Sequence, residues 1–466
     1  MIAIVDYGAG NAASVARALA RLGAAHRIVA SGDELDGAER VILPGVGHFG
    51  ALMRALDERG LRPALLEFLA SGRPFLGICV GLQALYAGSE EAPGVAGLGH
   101  WPGVIRRFPP TGKVPHVGWT EVTATRACRL LAGCGAAPSF YFTHAYFAPP
   151  DGRTAAVAHY PEAFAAVAED GAVFATQFHP EKSGADGHRL LENFLRLPPG
   201  PASVSIGAAA PRRAPFRRII PCLDVNAGRV VKGVRFARLR DSGDPAALAA
   251  AYDQAGADEL ALLDVSASLE RRGTLLATVE AVARCLRIPL LVGGGVGAAA
   301  DGERLLRAGA DKIAVNSAAS ARPELIAELA AAFGSQAVVA AIDARREGAG
   351  WQVYTHGGQR AAGRDAVRWA REAAARGAGE ILLTSMDRDG TRDGFDRELT
   401  AAVAGAVTIP VIASGGGGRA ADFAAVLAPG GADAALAASI FHDGDTTPEA
   451  LKRALAQAGV AVRIQP

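Results

Sequence analysis

Aromatic residues are scarce, at 6% of a 466-residue chain, and cysteine occurs only at Cys79, Cys128, Cys134, Cys222 and Cys285. Those five are scattered, odd in number and form no CxxC pair, so neither a disulfide framework nor a zinc site is expected. Net charge is almost missing too: Lys+Arg 48 against Asp+Glu 47 leaves +1. That balance gives no electrostatic reason to expect nucleic acid or an anionic membrane as the main partner. No apolar run approaches the ~20 residues of a membrane span, and the chain opens on Ile2-Ala3-Ile4-Val5 without a basic leader. A soluble protein of a reducing compartment, the cytoplasm, is expected, with no metal and no cofactor.

What is present is apolar mass: 50% hydrophobic residues, 20% charged, and 57 glycines. The length suggests two or three domains with large cores. Leu197-Pro-Pro-Gly-Pro and the small, proline-rich residues up to Pro215 have no amphipathic period and read as a linker. We therefore expect domains over 1–197 and 217–466, joined by residues 198–216. In the first, Ile2–Asp6, Arg40–Leu43, Pro74–Cys79 and Val173–Phe178 read as strands among helical patterns, an α/β fold of doubly wound, flavodoxin-like type.

The second domain repeats itself. Pro289-Leu-Leu-Val-Gly-Gly-Gly-Val-Gly matches Pro410-Val-Ile-Ala-Ser-Gly-Gly-Gly-Gly, and Glu259-Leu-Ala-Leu-Leu-Asp264 matches Glu380-Ile-Leu-Leu-Thr-Ser385, both offset by ~120 residues. Gly256-Ala-Asp, Gly309-Ala-Asp, Gly377-Ala-Gly and Gly431-Ala-Asp each precede a strand pattern. Two half-repeats of four strands make eight βα units in about 250 residues, a (β/α)8 barrel. A doubly wound sheet has no reason to repeat at half its length.

Chemistry concentrates at a few positions. Cys79 stands in Gly77-Ile-Cys-Val-Gly81, after an apolar strand and before a helical pattern, which is the thiol form of a nucleophile elbow. A buried structural cysteine would be the plainer reading of that frame alone. Gln177-Phe-His-Pro-Glu181 supplies what it lacks: His179 as base and Glu181 to orient the imidazole. Pro44-Gly45-Val46-Gly47 adds backbone N–H groups for an oxyanion hole, and its glycines would permit a peptide flip that completes the hole only when the second domain holds ligand. His144 reads as a partly exposed loop residue, and His48, His116 and His188 as structural or solvated.

In the barrel, Asp224 and Asp343 close the first and fifth strands, so both should reach the C-terminal mouth, where paired carboxylates suit general acid–base work. Gly294-Gly295 and Ser414-Gly415-Gly416 end the third and seventh strands; Asn316-Ser317 and Ala438-Ser439 end the fourth and eighth. Two quasi-equivalent cradles imply a ligand with a phosphate at each end. Arg218, Glu259, Lys312 and Glu380 begin the first, second, fourth and sixth strands, with alternating sign. Solvated strand starts are the ordinary reading; a ring that seals and gates an axial passage through the barrel floor is the alternative.

Gly77-Ile-Cys-Val-Gly-Leu-Gln83 with Gln177-Phe-His-Pro-Glu-Lys-Ser183 resembles the class I glutamine amidotransferases. Asp6-Tyr-Gly-Ala-Gly-Asn11, Pro44-Gly-Val-Gly-His-Phe-Gly50 and Val114-Pro-His-Val-Gly-Trp119 narrow that to the glutaminase of the imidazole glycerol phosphate synthase family. Thr120 departs from the Asn expected after Gly-Trp, and touches a contact near the domain interface. The second domain resembles the family's cyclase through Asp224-Val-Asn-Ala-Gly-Arg-Val-Val-Lys-Gly233, Leu239-Arg-Asp-Ser-Gly-Asp-Pro245, Phe333 to Asp343 and Leu383-Thr-Ser-Met-Asp-Arg-Asp-Gly-Thr391. The resemblance implies Asp224 and Asp343 as acid and base, and substrate contacts at Val80, Gln83, Lys232, Thr384, Asp389 and Gly390. It also implies glutamine and a bisphosphorylated ribonucleotide as substrates, with an intramolecular interface in place of a two-subunit complex. A serine of the family's fifth loop is missing, where Thr355-His-Gly-Gly358 stands. A pyridoxal phosphate-type glutaminase–barrel synthase would need a lysine at a strand end, and none of the eight strands clearly has one. A purely regulatory first domain would not need a complete Cys-His-Glu set.

Overall fold

The computed structural model describes residues 1–8, 11–197, 214–234, 237–265, 267 and 274–465, with the side chains of 232–242 left aside. It divides into two compact units, Met1–Pro215 and Phe216–Pro466.

The first unit is built on a mixed eight-stranded sheet. Four-residue runs such as Ile2–Val5, Arg40–Leu43, Phe75–Ile78 and Val173–Thr176 are apolar almost throughout and almost wholly buried. Continuous apolar runs are what a parallel sheet covered on both faces requires. These strands and His26–Val29 pair in parallel. The doubly wound expectation holds for that half and stops at Val173–Thr176. Beyond it Ala163–Asp170, Thr154–His159 and Thr123–Ala124 continue the sheet antiparallel. These Ala-rich strands lack the β-branched signature that marks the others.

The second unit is a closed barrel of eight parallel strands: Arg218–Asn226, Leu260–Asp264, Leu290–Gly293, Lys312–Val315, Val338–Glu347, Glu380–Ser385, Val411–Ser414 and Ala434–Ala437. The eighth pairs back onto the first, Arg218 opposite Ala434 and Pro221 opposite Ala437, which removes every edge. Alternate side chains fill the lumen: Ile220, Cys222, Leu291, Val339, Leu382 and Ile412 form one buried cluster. The lumen is therefore a packed apolar core, and the strands' two ends are its polar surfaces. No helix among the described residues is long and apolar enough to cross a membrane.

Candidate functional sites

Cys79 ends the strand Phe75–Ile78 and begins the short helix Val80–Ala84 with φ 54° and ψ −109°, a strained conformation for a residue with a side chain. Two close approaches hold it there. The Cys79 N–H donates to Thr176 O at 2.7 Å, and the turn lies so near the neighbouring strand that a Cβ on Gly81 would sit 2.1 Å from Leu43 O. His179 and Glu181 follow the strand Val173–Thr176, which pairs directly with the strand that leads into Cys79. His179 Nδ1 donates to Glu181 Oε1 at 2.8 Å, and both residues are buried. Burial would pull the imidazole down, but Cys79 and Glu181 beside it outweigh that and hold it well above its ordinary range. Burial would likewise raise Glu181; His179, and an amide N–H from Asn11 at 2.5 Å, keep it below the usual carboxylate range.

Asn11 thus holds the Glu181 carboxylate from a third element, as the residue preceding the helix Ala12–Arg21. It stood in a family-like motif, yet nothing in its spacing revealed that contact. Gln177 was missed as well: its Nε2 donates to Cys79 Sγ at 3.6 Å. Val80 and Gln83 lie buried in the turn and short helix beside Cys79. Gln83 donates through Nε2 to Tyr146 O at 2.8 Å and to Gln177 Oε1 at 3.3 Å.

Gly45, Val46 and Gly47 pack against this turn, a Cβ on Gly45 falling 2.3 Å from Gly81 N. The Val46 N–H is engaged elsewhere, however. It donates to the Tyr7 hydroxyl at 3.0 Å, and that hydroxyl donates to Val46 O at 2.9 Å. One buried tyrosine clamps both polar groups of the peptide segment expected to form the oxyanion hole.

One reading needs correction. His144 is buried and ends the strand Ser139–His144 instead of lying on an exposed loop, because its ring packs among Phe108, Phe142 and Phe164. That strand shows no clean polar–apolar alternation, the usual signal for such placement. Thr120 is buried, its hydroxyl 2.8 Å from His116 Nε2.

The barrel mouth opens on a cavity of about 840 Å³, a size suited to a small-molecule ligand. Asp224 and Asp343 face it from the first and fifth strands, with Asp389 between them from the sixth loop. Enclosure and the charge of Asp389 push Asp224 and Asp343 each up to about 7. Asn316 Nδ2 donates to Asp343 Oδ2 at 2.8 Å, partly offsetting that rise. Asp389 itself, chiefly through enclosure, is pushed up to about 6.

Gly294, Gly295, Asn316, Ser317, Thr384, Gly390, Ser414, Gly415, Gly416, Ala438 and Ser439 all line this one cavity. The half-barrel repeat is visible in its detail. Gly294 has φ 107° and a Cβ there would lie 2.3 Å from Asp264 O; Gly415 has φ 89° and a Cβ would lie 2.6 Å from Ser385 O. Only glycine fits either position, at equivalent places in the two halves. Lys232 belongs to the strand Arg229–Val234, and its side chain lies outside the described residues. Asp264, Arg304 and His356 are among the lining residues left unassigned from sequence. Asp264 was readable as the repeat partner of Ser385. His356, at φ 55°, occupies the loop where the serine was missing and donates its N–H to Ser317 Oγ at 2.9 Å.

At the opposite end, Arg218, Glu259, Lys312 and Glu380 are all buried, not solvated. Arg218 Nη1 meets Glu259 Oε2 at 2.7 Å and Arg218 Nη2 meets Glu380 Oε1. Lys312 Nζ meets Glu259 Oε1 at 2.5 Å and Glu380 Oε2 at 2.8 Å. Four charges close a ring that is neutral overall. Burial would raise Glu380, but Arg218 and then Lys312 hold it below the usual carboxylate range.

Residues 3–216 match the family model described as glutamine amidotransferase class-I, and residues 218–447 the one described as histidine biosynthesis protein. The imidazole glycerol phosphate synthase subunit HisF of Hyphomonas neptunium is 61% identical over 246 residues, 53% of this chain and 98% of that protein. Its counterpart in Acidobacterium capsulatum is 61% identical over 248 residues, with the same shares. The one in Myxococcus xanthus is 58% identical over 247 residues, again 53% and 98%.

Proposed function

We propose a division of labour for a chain that belongs to the imidazole glycerol phosphate synthase family of histidine biosynthesis, with a glutamine amidotransferase and a HisF-type cyclase in one polypeptide. Glutamine and a phosphoribosyl substrate bind to the same chain. In the first unit the Cys79 thiolate attacks the glutamine amide carbonyl, and His179, held by Glu181, delivers its proton to the departing ammonia. Water then hydrolyses the glutamyl thioester, with His179 taking a proton from it, and glutamate leaves. Two donors near the carbonyl oxygen stabilise each tetrahedral intermediate. Val46 N–H is one of them once its peptide turns away from Tyr7, and that turn follows ligand binding in the barrel.

In the second unit, ammonia reaches phosphoribulosyl-formimino aminoimidazole carboxamide ribonucleotide, which lies across the mouth with a phosphate in each glycine cradle. Ring closure needs one carboxyl group to accept a proton and another to donate one. Asp224 and Asp343, both pushed up to about 7, are poised to be in opposite protonation states near neutrality. Cleavage of the C–N bond gives imidazole glycerol phosphate and the aminoimidazole carboxamide ribotide. Ammonia enters from the barrel floor through the Arg218–Glu259–Lys312–Glu380 ring, which parts to admit it, and travels along the apolar lumen. Free thiolate chemistry at Cys79 suits the reducing cytoplasm.

The observation that carries this reading is the pair of quasi-equivalent glycine cradles flanking Asp224 and Asp343 in a single cavity. It is tested by supplying the ribotide with glutamine and, separately, with ammonium, then measuring glutamate and both products. Product from ammonium but none from glutamine would reject the coupling of the two units. No product from either would reject the substrate.

A further inference from the structure

The buried polar groups behind Cys79 form two runs that meet at Tyr146 O, and because that carbonyl can only accept, it fixes the hydrogen-bond directions of each run separately. His144 Nδ1 lies 2.9 Å from Tyr146 O, a pure acceptor, so the ring must donate there. Burial pushes His144 down to about 3, so at neutral pH it carries one proton and its Nε2 is an acceptor. His116 Nδ1, 3.1 Å away, is then the donor to it. His116 is also held neutral by burial, leaving its Nε2 to accept from the Thr120 hydroxyl.

In the second run, Tyr146 O accepts from Gln83 Nε2, whose second N–H goes to Gln177 Oε1. An amide whose oxygen is committed to Gln83 has its nitrogen fixed on the far side. That nitrogen faces Cys79 Sγ at 3.6 Å, within the reach of a hydrogen bond to sulfur. Gln177 is fully buried, and its backbone N–H is tied to Ala166 O at 2.9 Å, so the side chain has little freedom to turn away.

We propose that Gln177 is a catalytic residue of the glutaminase: its amide N–H stabilises the Cys79 thiolate, and Gln83, itself fixed by the Tyr146 carbonyl, is the positioning residue that aims it. The sulfur of a cysteine only 2% exposed receives little help from water, so a fixed amide dipole on it counts for more than the same contact at the surface. The other titratable groups facing Cys79 are His179, with Glu181 behind it, and Tyr7. His179 alternates between base and acid during turnover, whereas Gln177 stays a donor throughout. Gln83 has both amide hydrogens committed, so it meets glutamine through its carbonyl oxygen, as an acceptor.

This inference rests on Cys79 being the nucleophile. The test follows iodoacetamide alkylation of Cys79 in the full chain from acid to alkaline pH, reading its peptide by mass spectrometry, beside the glutaminase kcat. Gln177→Glu keeps an acceptor for Gln83 but has no N–H for sulfur; Gln177→Met removes both. Each should move the alkylation midpoint upward, by about one pH unit for Gln177→Met, and lower kcat about tenfold, the value of a hydrogen bond to a charged group. Ammonium-dependent cyclisation should not change. Gln83→Met, which frees the Gln177 amide to turn, should move the midpoint in the same direction by less, and it decides the matter should neither Gln177 variant fold. Wild-type midpoints in the folded variants would overturn the role of Gln177. Glutamine hydrolysis surviving in Cys79→Ala would instead overturn the nucleophile itself.

Discussion

The two sites solve the same problem, holding reactive groups out of water, by opposite routes. In the first unit each part is unique: one cysteine at φ 54°, one histidine, one glutamate, one clamping tyrosine. Charges there are stabilised in pairs, so His179 rises and Glu181 falls. In the barrel the parts come twice, and the carboxyl groups of Asp224, Asp343 and Asp389 lie together, all pushed upward. Ion pairing gives a site that is always armed and needs a catch. Enclosed like charges give a site whose protonation is shared and pH-sensitive. The difference teaches that coupling control belongs on the glutaminase, where turnover without a consumer wastes glutamine.

The sharpest way to break this comparison is to disarm each site alone. Cys79→Ala should abolish glutamine-dependent turnover, by three orders of magnitude or more, and leave ammonium-dependent cyclisation intact. Asp224→Asn and Asp343→Asn should each abolish cyclisation from either nitrogen source. Steady-state assays with both sources check all three, and a cross-effect in a folded variant would refute the separation. Next in size is the catch. Tyr7→Phe removes the hydroxyl that holds both polar groups of Val46, so glutaminase activity without ribotide should rise, about tenfold for the lost contacts. An unchanged basal rate would mean the clamp restrains nothing.

Lys312→Met tests the ring. It leaves Glu259 and Glu380 with Arg218 alone, so the passage should open or misalign and glutamate should accumulate about two- to threefold over imidazole product, an effect of under 1 kcal/mol. A ratio of one would make the ring a purely structural ion cluster. The barrel's pH profile sharpens the other side of the comparison. At a fixed concentration of free ammonia, the cyclisation rate should be bell-shaped with both limbs near 7, falling on the acid side as the base carboxylate is protonated and on the alkaline side as the acid loses its proton. A flat profile between 6 and 8 (about one unit either side of 7) would contradict it.

The smallest effect is on stability. Asp224 has its folded value raised above the ordinary carboxylate range, so its ionisation penalises the folded state as pH rises from about 4 to about 7. Asp224→Asn removes that penalty and should raise the barrel's Tm by about 2–4 °C at alkaline pH. The gain should vanish near pH 4, as calorimetry at the two pH values would reveal.

Much of this was legible in the chain itself, for identifiable reasons. The barrel announced itself because duplication leaves matching words ~120 residues apart, and a repeat pins strand ends where chemistry sits. The elbow at Cys79 was legible because Gly77 and Gly81 mark a turn no other residue permits. Antiparallel strands such as Ala163–Asp170 were not, since alanine favours helix and is depleted in strands, so its signal points the wrong way. Asn11, Gln177 and Tyr7 escaped because their roles are side-chain contacts across 170, 98 and 39 positions of sequence, and separation of that kind leaves no periodicity. The burial of Arg218, Glu259, Lys312 and Glu380 escaped a generic rule about charges, which the closed ring overrides by pairing every one of them.

The central claim is that ammonia made at Cys79 is the ammonia used at Asp224 and Asp343. The direct measurement supplies glutamine labelled with 15N at the amide together with unlabelled ammonium, kept below the level that supports appreciable cyclisation alone, and follows 15N into the imidazole ring. The account predicts product carrying nearly full label, whatever the ammonium in solution. Label diluted to the ratio in bulk solution would contradict it, and would mean that the two units share a chain without sharing an intermediate.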